Sequence, residues 1–192
     1  MHILNLADIQ LHWREDGDPS GRPVVFANSL GTDFRIWDKI VPLMPKGLRL
    51  IRYDKRGHGL SSCPAGPYSM GALVHDAERL LDTLGVKNCV FVGLSIGGMI
   101  AQGLAVKRLD LVRAMVLSNT AAKIATPATW AERIAAVRAG GIEAVADATM
   151  PRWFSRPFPE TPEMRRYRHM LTPPPPHRSP RSPAAIAGPD FY

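Results

Sequence analysis

With 192 residues, 45% of them hydrophobic and 21% charged, the chain has the balance of one globular core with at most a small appendage, which excludes two ordinary domains, a disordered polyelectrolyte and a membrane-embedded bundle. No apolar run reaches the roughly 20 residues of a membrane helix, and Asp8, His12, Arg14 and Glu15 break the first stretch, which therefore lacks the basic-then-apolar order of a secretory signal. The net charge of +7 suggests nucleic acid until it is located: Arg152, Arg156, Arg165, Arg166, Arg168, Arg178 and Arg181 crowd one terminal segment, so the basicity belongs largely to that segment. The expectation is a cytoplasmic protein with no membrane or nucleic-acid partner.

Taken in chain order, Ile3 to Leu6 and Ile9 to Arg14 alternate as a β-hairpin does, and Asp16 to Gly21 reads as a turn. Val24 to Ala27, Leu48 to Tyr53, Cys89 to Val92 and Val112 to Leu117 are short, near-continuous apolar runs, the pattern of parallel strands covered on both faces. Met70 to Leu84 repeats its apolar residues at helical spacing and stops at Gly85; Ile96 to Lys107 predicts a second helix with small residues on one side. Alternation of this kind implies an α/β fold with a mostly parallel sheet, its core running over residues 1–120. Beyond Leu117 the rhythm changes: Thr126 to Ala139 and Ile142 to Thr149 are helical with no strand between them, as in a helical cap inserted over a sheet, here 121–171. Prolines then accumulate, culminating in Pro173 to Pro176, and residues 172–192 are expected to hold no packed structure. Of the two cysteines, Cys89 falls in an apolar strand and reads as a small buried thiol; with Cys63 it makes neither a disulfide framework nor a zinc spacing.

The residues that carry chemistry lie at Gly93-Leu94-Ser95-Ile96-Gly97, a Gly-x-Ser-x-Gly placed between a predicted strand and a predicted helix. A sharp strand-to-helix turn holds a serine with its hydroxyl exposed and tolerates no side chain on either flank, a demand that Gly93 and Gly97 meet. The Ile96 N–H then opens the helix, where the dipole favours negative charge. A second segment, Asn28 to Thr32 after the strand at Val24 to Ala27, is either a plain turn or the loop whose Leu30 N–H completes an oxyanion hole. A third, Tyr53 to Ser61, reads as a structural brace in which Asp54 and Arg56 can pair; His58 precedes the nucleophile strand and is not taken as a catalytic base.

Asn28-Ser-Leu-Gly-Thr-Asp33, Tyr53-Asp-Lys-Arg-Gly-His-Gly-Leu-Ser61, Gly93-Leu-Ser-Ile-Gly-Gly98 and Leu117-Ser-Asn-Thr-Ala-Ala121 together resemble the 3-oxoadipate enol-lactonases, a branch of the α/β-hydrolase superfamily, over about Met1 to Phe158. The resemblance implies hydrolysis of a small anionic lactone or ester by Ser95, with Leu30 and Ile96 holding the oxyanion and neither metal nor organic cofactor. A substrate carboxylate then needs a cation or donor, and Trp130, Arg133 and Trp153 in the cap are the candidates, their other reading being closure of the cap core. Related hydrolases on the same scaffold are a carboxylesterase, a carbon-carbon bond hydrolase or a cofactor-free haloperoxidase; outside that class stands a binding protein that uses the proline-rich, basic tail.

The order of the triad in this superfamily, serine then acid then histidine, is not matched. After Ser95 come only His169 and His177, one in an arginine-rich stretch and one behind four prolines, and Asp110, Asp147 and Asp190, the first two read as ordinary surface charges. The expectation is a fold incomplete at its C-terminal end, with a disturbance of the reading frame near Thr172 and an unpaired apolar edge at Val112 to Leu117 that favours aggregation.

Overall fold

Alternation at the start of the chain becomes a hairpin in the computed structural model, which describes residues 1–65, 68–124, 126–154 and 161–172. Strand β1 (His2–Asn5) pairs antiparallel with β2 (Gln10–Gly17), and β2 continues where a turn was expected, because Glu15, Asp16 and Gly17 pair with Ile51, Leu50 and Arg49 of β4 (Leu48–Tyr53). The turn itself is shorter, with Ser20 N and Oγ both donating to Asp18 Oδ1 at 2.9 and 2.7 Å. β3 (Arg22–Ala27), β5 (Cys89–Leu94) and β6 (Val112–Ser118) complete a six-stranded sheet in the order β1-β2-β4-β3-β5-β6, with β4-β3, β3-β5 and β5-β6 parallel.

Period-two alternation divides the two faces of this sheet. On one, Val25, Ala27, Ile51, Tyr53 and Phe91 pack against α1 (Met70–Thr83) and α2 (Ile96–Lys107), whose Leu80, Leu81, Ile100 and Leu104 are fully buried. Each such side chain contributes on the order of 1.5–3 kcal/mol. On the other, Val24, Phe26 and Leu50 meet Trp37, from one of two short 3-10 turns (Phe34–Trp37 and Val41–Leu43) that the apolar pattern did not announce. Arg52 points to that side too, and its buried guanidinium is neutralised by Asp16 and Asp38, each at 2.7 Å. β6 departs from the expected cover: Met115, Val116 and Leu117 are 40, 51 and 44% exposed, and among the described residues this strand has a neighbour on one side only.

After β6 the chain forms α3 (Pro127–Gly140), α4 (Glu143–Trp153) and α5 (Pro162–Leu171). Thr126 and Thr161 cap α3 and α5, their hydroxyls accepting from Thr129 N at 3.3 Å and Met164 N at 3.1 Å, and a proline opens each helix where its missing N–H costs nothing. α4 runs past the expected end at Thr149, through Pro151 to Trp153, so that Trp153 joins Ala146, Met150, Leu171 and Tyr167 in a small core of its own. Val137 belongs to the main core, with Trp130, Ile142 and Val145 packed against it, and Lys39 forms an ion pair with Glu163, so the three helices sit on the sheet at the end where β3 and β5 finish. Of the tail expected from 172 onward, only Thr172 lies within the described residues.

Candidate active site

The turn between β5 and α2 is the most constrained point of the backbone. Ser95 adopts φ 55° and ψ −119°, a region that costs a side-chain-bearing residue on the order of 1–3 kcal/mol and persists only where its surroundings enforce it. Enforcement is visible on both sides. A Cβ on Gly97 would stand 2.1 Å from the Ala27 carbonyl oxygen, and one on Gly93 would stand 2.4 Å from the Gly97 carbonyl oxygen. Ser95 N donates to Ser118 O at 2.9 Å, and Ser95 O accepts from Thr120 Oγ1 at 2.7 Å, which ties the turn to the end of β6. Ser95 lines a cavity of about 520 Å³, and its hydroxyl shares no hydrogen bond with any of the described residues.

Across that cavity lies the loop after β3. Asn28, fully buried, donates its amide nitrogen to Thr32 O, and Thr32 returns N and Oγ1 to Ser29 O at 3.3 and 2.9 Å. Lys55, also buried, donates to the Asn28 and Ser29 carbonyls, both at 2.9 Å. Gly31, at φ 78°, donates its N–H to His58 Nε2 at 3.0 Å. That bond makes Nε2 the acceptor, so Nδ1 carries the proton and donates to Arg56 O at 3.0 Å. With both ring nitrogens engaged in holding loops, His58 serves as a brace. Leu30 and Ile96 are both buried: Leu30 lines the cavity beside Ser95, and Ile96, next to Ser95 in the chain, opens α2, where the first N–H groups have no intrahelical acceptor.

The expected Asp54–Arg56 pair is not formed. Asp54 accepts instead from His12 Nδ1 at 2.8 Å, Phe34 N at 2.7 Å and Leu60 N at 3.0 Å, while Arg56 makes a two-pronged contact with Asp76 of α1 at 2.6 and 2.7 Å. The physical reason is what each carboxylate or guanidinium is brought against: Asp54 meets His12 of β2, and Arg56 meets Asp76 of α1. Gly59 permits the wrap, since a Cβ there would fall 1.8 Å from Asp54 Oδ2.

Trp130, Arg133 and Trp153 all line the cavity. The Arg133 guanidinium lies over the Trp130 ring at 5.9 Å, and its Nε is buried without a partner. Burial and, after it, repulsion from Arg152 hold its pKa below the ordinary guanidinium value. Arg152, also on the cavity wall, reads in the sequence only as part of the basic terminal segment and not as a site residue; its approach to Arg133 depends on how α4 packs on α3. Among the described residues neither arginine has a carboxylate partner, so of these residues the cavity wall presents two cations and no paired anion. Asn119, at φ 46° after β6, is a further lining residue with no sequence signal beyond its place in Leu117 to Ala121.

The later acids are engaged elsewhere. Asp110 accepts from Arg108 and Lys87 on the surface, and Asp147 pairs with Arg168 of α5; His169 lies in the last turn of α5, and His177 and Asp190 fall outside the described residues. The described residues hold no group of three or more His, Cys, Asp or Glu arranged to bind a metal, and no helix among them is long and apolar enough to cross a membrane.

A mostly parallel sheet in which an inner strand turns sharply through a serine into a helix, beside a cavity that residues of three later helices help to line, defines the α/β-hydrolase class. A family model described as the alpha/beta hydrolase fold matches residues 22–156, and the chain belongs to that family. It is 35% identical over 157 residues to 3-oxoadipate enol-lactonase 2 of Acinetobacter baylyi, covering 82% of this chain and 59% of that protein. Among solved structures, the enol-lactonase from Burkholderia xenovorans LB400 superimposes with a TM-score of 0.87 at 34% identity over 96% of this chain and 71% of its own. A hydrolase from Pseudomonas aeruginosa PA01 gives 0.86 at 36% identity, over 98% and 73%. The chain thus spans 59% and 58% of the length of the two Acinetobacter lactonases it matches.

Proposed function

We propose that this chain carries the nucleophile half of a cofactor-free serine hydrolase for a small anionic lactone or ester, with a 3-oxoadipate enol-lactone as the substrate of choice. The observation that supports the reading is that Ser95, on a strained turn, lines one cavity with Arg133 and Arg152, neither of which has a carboxylate partner among the described residues. In this reading residues 121–171 act as the cap that closes the cavity. Its tryptophans Trp130 and Trp153 supply apolar walls, and Arg133 takes the substrate carboxylate by charge-assisted hydrogen bonds.

In this reading, once a general base removes its proton, Ser95 Oγ attacks the lactone carbonyl; the new oxyanion lies between the Leu30 and Ile96 N–H groups, the latter strengthened by the α2 dipole. Collapse expels the ring oxygen, which is protonated as it leaves, and water then cleaves the acyl-serine to give a free acid and the original hydroxyl. The base and its supporting acid are not among the described residues. The nearness of the match to the Acinetobacter and Burkholderia lactonases favours lactone over other carboxylic esters.

The test adds the part of the Acinetobacter lactonase that this chain does not span. Residues 1–172 are joined to the C-terminal part of the Acinetobacter lactonase, and enol-lactone and aryl-ester hydrolysis are compared with a Ser95→Ala variant of the same chimera. The expected result is hydrolysis that Ser95→Ala lowers by about 10⁴-fold or more, with the enol-lactone preferred. Equal rates in both proteins would reject Ser95 as nucleophile; preference for the aryl ester would reject the lactone.

A further inference from the structure

Lys55 is the one motif residue of the loop after β4 that neither the braces nor the cavity account for. It is 1% exposed, yet among the described residues no carboxylate lies within ion-pairing distance of its ammonium, which is directed instead at two backbone carbonyls, Asn28 O and Ser29 O, each at 2.9 Å. Its neighbour Asp54 is not available to it, being occupied by His12, Phe34 N and Leu60 N. Burying an ammonium is costly, and a surface or apolar residue would hold a plain turn more cheaply.

The position of the two carbonyls gives this arrangement a meaning. Ser29 C=O and Leu30 N–H are opposite ends of one planar peptide group, and Leu30 lines the cavity beside Ser95. Three donors converge on the Ser29 oxygen: Lys55 Nζ at 2.9 Å, Thr32 Oγ1 at 2.9 Å and Thr32 N at 3.3 Å. Donation to the carbonyl end of a peptide withdraws electron density from its nitrogen and strengthens the N–H as a donor, most of all when the partner is charged and buried.

We propose that Lys55 is the positioning residue of the oxyanion loop: its buried ammonium clamps the Asn28 and Ser29 carbonyls, fixes the plane of the Ser29–Leu30 peptide, and polarises that peptide so that the Leu30 N–H is a stronger donor toward negative charge formed at Ser95. This rests on the reading of Ser95 and Leu30 given above and deepens it, by tying the strength of the oxyanion hole to a charge that the substrate never touches. Desolvation lowers Lys55 to about 7, with Asp54 and Asp33 opposing the shift. The polarisation is therefore full below that pH and fades as pH rises through it. The other titratable groups at the loop are His58, bonded to Gly31 N, and His12, bonded to Asp54.

The experiment uses the chain as it is, without substrate. Protein labelled with ¹⁵N-leucine and ¹³C-lysine is followed by NMR from pH 5.5 to 9, in the wild type and in Lys55→Arg and Lys55→Met. The Leu30 amide proton is expected downfield at low pH, moving upfield with the same midpoint as the Lys55 side-chain signal. In Lys55→Arg, which keeps its charge throughout, it stays downfield; in Lys55→Met it stays upfield. If Lys55→Met does not fold, the wild-type titration and Lys55→Arg decide. A Leu30 signal that ignores the Lys55 titration overturns the proposal, as does a titration that persists unchanged in Lys55→Arg, which would assign it to His58. Loss of the hydrolase reading, seen as equal rates with and without the Ser95 hydroxyl, leaves these shifts in place, so the two failures are separable.

Discussion

Gly97→Ala tests whether the serine turn depends on contact between backbones. Gly97 and Gly71 both sit in the first turn of a helix at ordinary negative φ, so alanine should suit both locally, gaining up to about 1 kcal/mol of helix propensity. Their neighbours differ. At Gly71 an added Cβ meets only Ser69 Oγ at 3.6 Å, whereas at Gly97 it would stand 2.1 Å from Ala27 O and 2.6 Å from Ala27 C. To restore even a 3.0 Å contact, α2 and the end of β3 must separate by roughly 0.9 Å. That end of β3 is paired in register with β5, Ala27 against Gly93, so the shift cannot be taken up by a side chain. Overpacking against fixed backbone costs about 1–3 kcal/mol, and the net loss is expected in that range after the propensity gain. Urea unfolding followed by circular dichroism should show a lowered midpoint with an unchanged slope for Gly97→Ala, and no loss for Gly71→Ala. The same separation widens the gap between Leu30 and Ile96. Equal midpoints for Gly97→Ala and wild type would refute the claim that close approach of β3 and α2 shapes this site.

Three further outcomes follow from the same geometry. Asp76→Asn leaves Arg56 and Arg79 facing a neutral amide in a buried site, where Asp8 still reaches both at 3.3 and 2.5 Å; a loss of about 3 kcal/mol is expected in urea unfolding, and a loss below 1 kcal/mol would reduce the network to surface decoration. Glu78 is pushed up by burial but more strongly pulled down by hydrogen bonds from Lys107, His75 and Arg108, to about 2 from its ordinary 4.5. Because the folded value lies below the unfolded one, its stabilisation is complete above pH 4.5 and is lost as pH falls toward 2; Glu78→Gln should flatten that part of the stability curve measured by thermal melts. Val116→Lys, on β6 at the exposed edge of the described sheet, should reduce concentration-dependent association in sedimentation velocity, and unchanged association would place the sticky surface elsewhere.

The serine turn, the parallel strands and the two helices that cover them were legible in the residues because their causes are local. Gly93 and Gly97 flank the serine within one turn of chain, Cys89 to Val92 runs apolar into it, and the spacing of Leu73, Ala77, Leu80 and Leu81 already defines a buried helix face. The family resemblance rested on the same short segments, and its fold and relatives are those the comparisons returned. Trp130, Arg133 and Trp153 could be named as candidates and line one cavity, whereas Arg152, which lines it too, read only as one of the terminal arginines.

What remained was decided by which segments meet in space. Asp54 takes His12 from 42 positions away rather than Arg56 from two; Lys55 reaches back 26 positions to Ser29; Arg52, read as part of an apolar run, is buried on Asp16 and Asp38. β6 looks like its neighbours in sequence and differs only because the described sheet ends there. Periodicity and turn chemistry are properties of neighbours along the chain and set the elements. The partner of a buried charge is chosen by distance and desolvation, which exist only once strands and helices from remote positions have packed together.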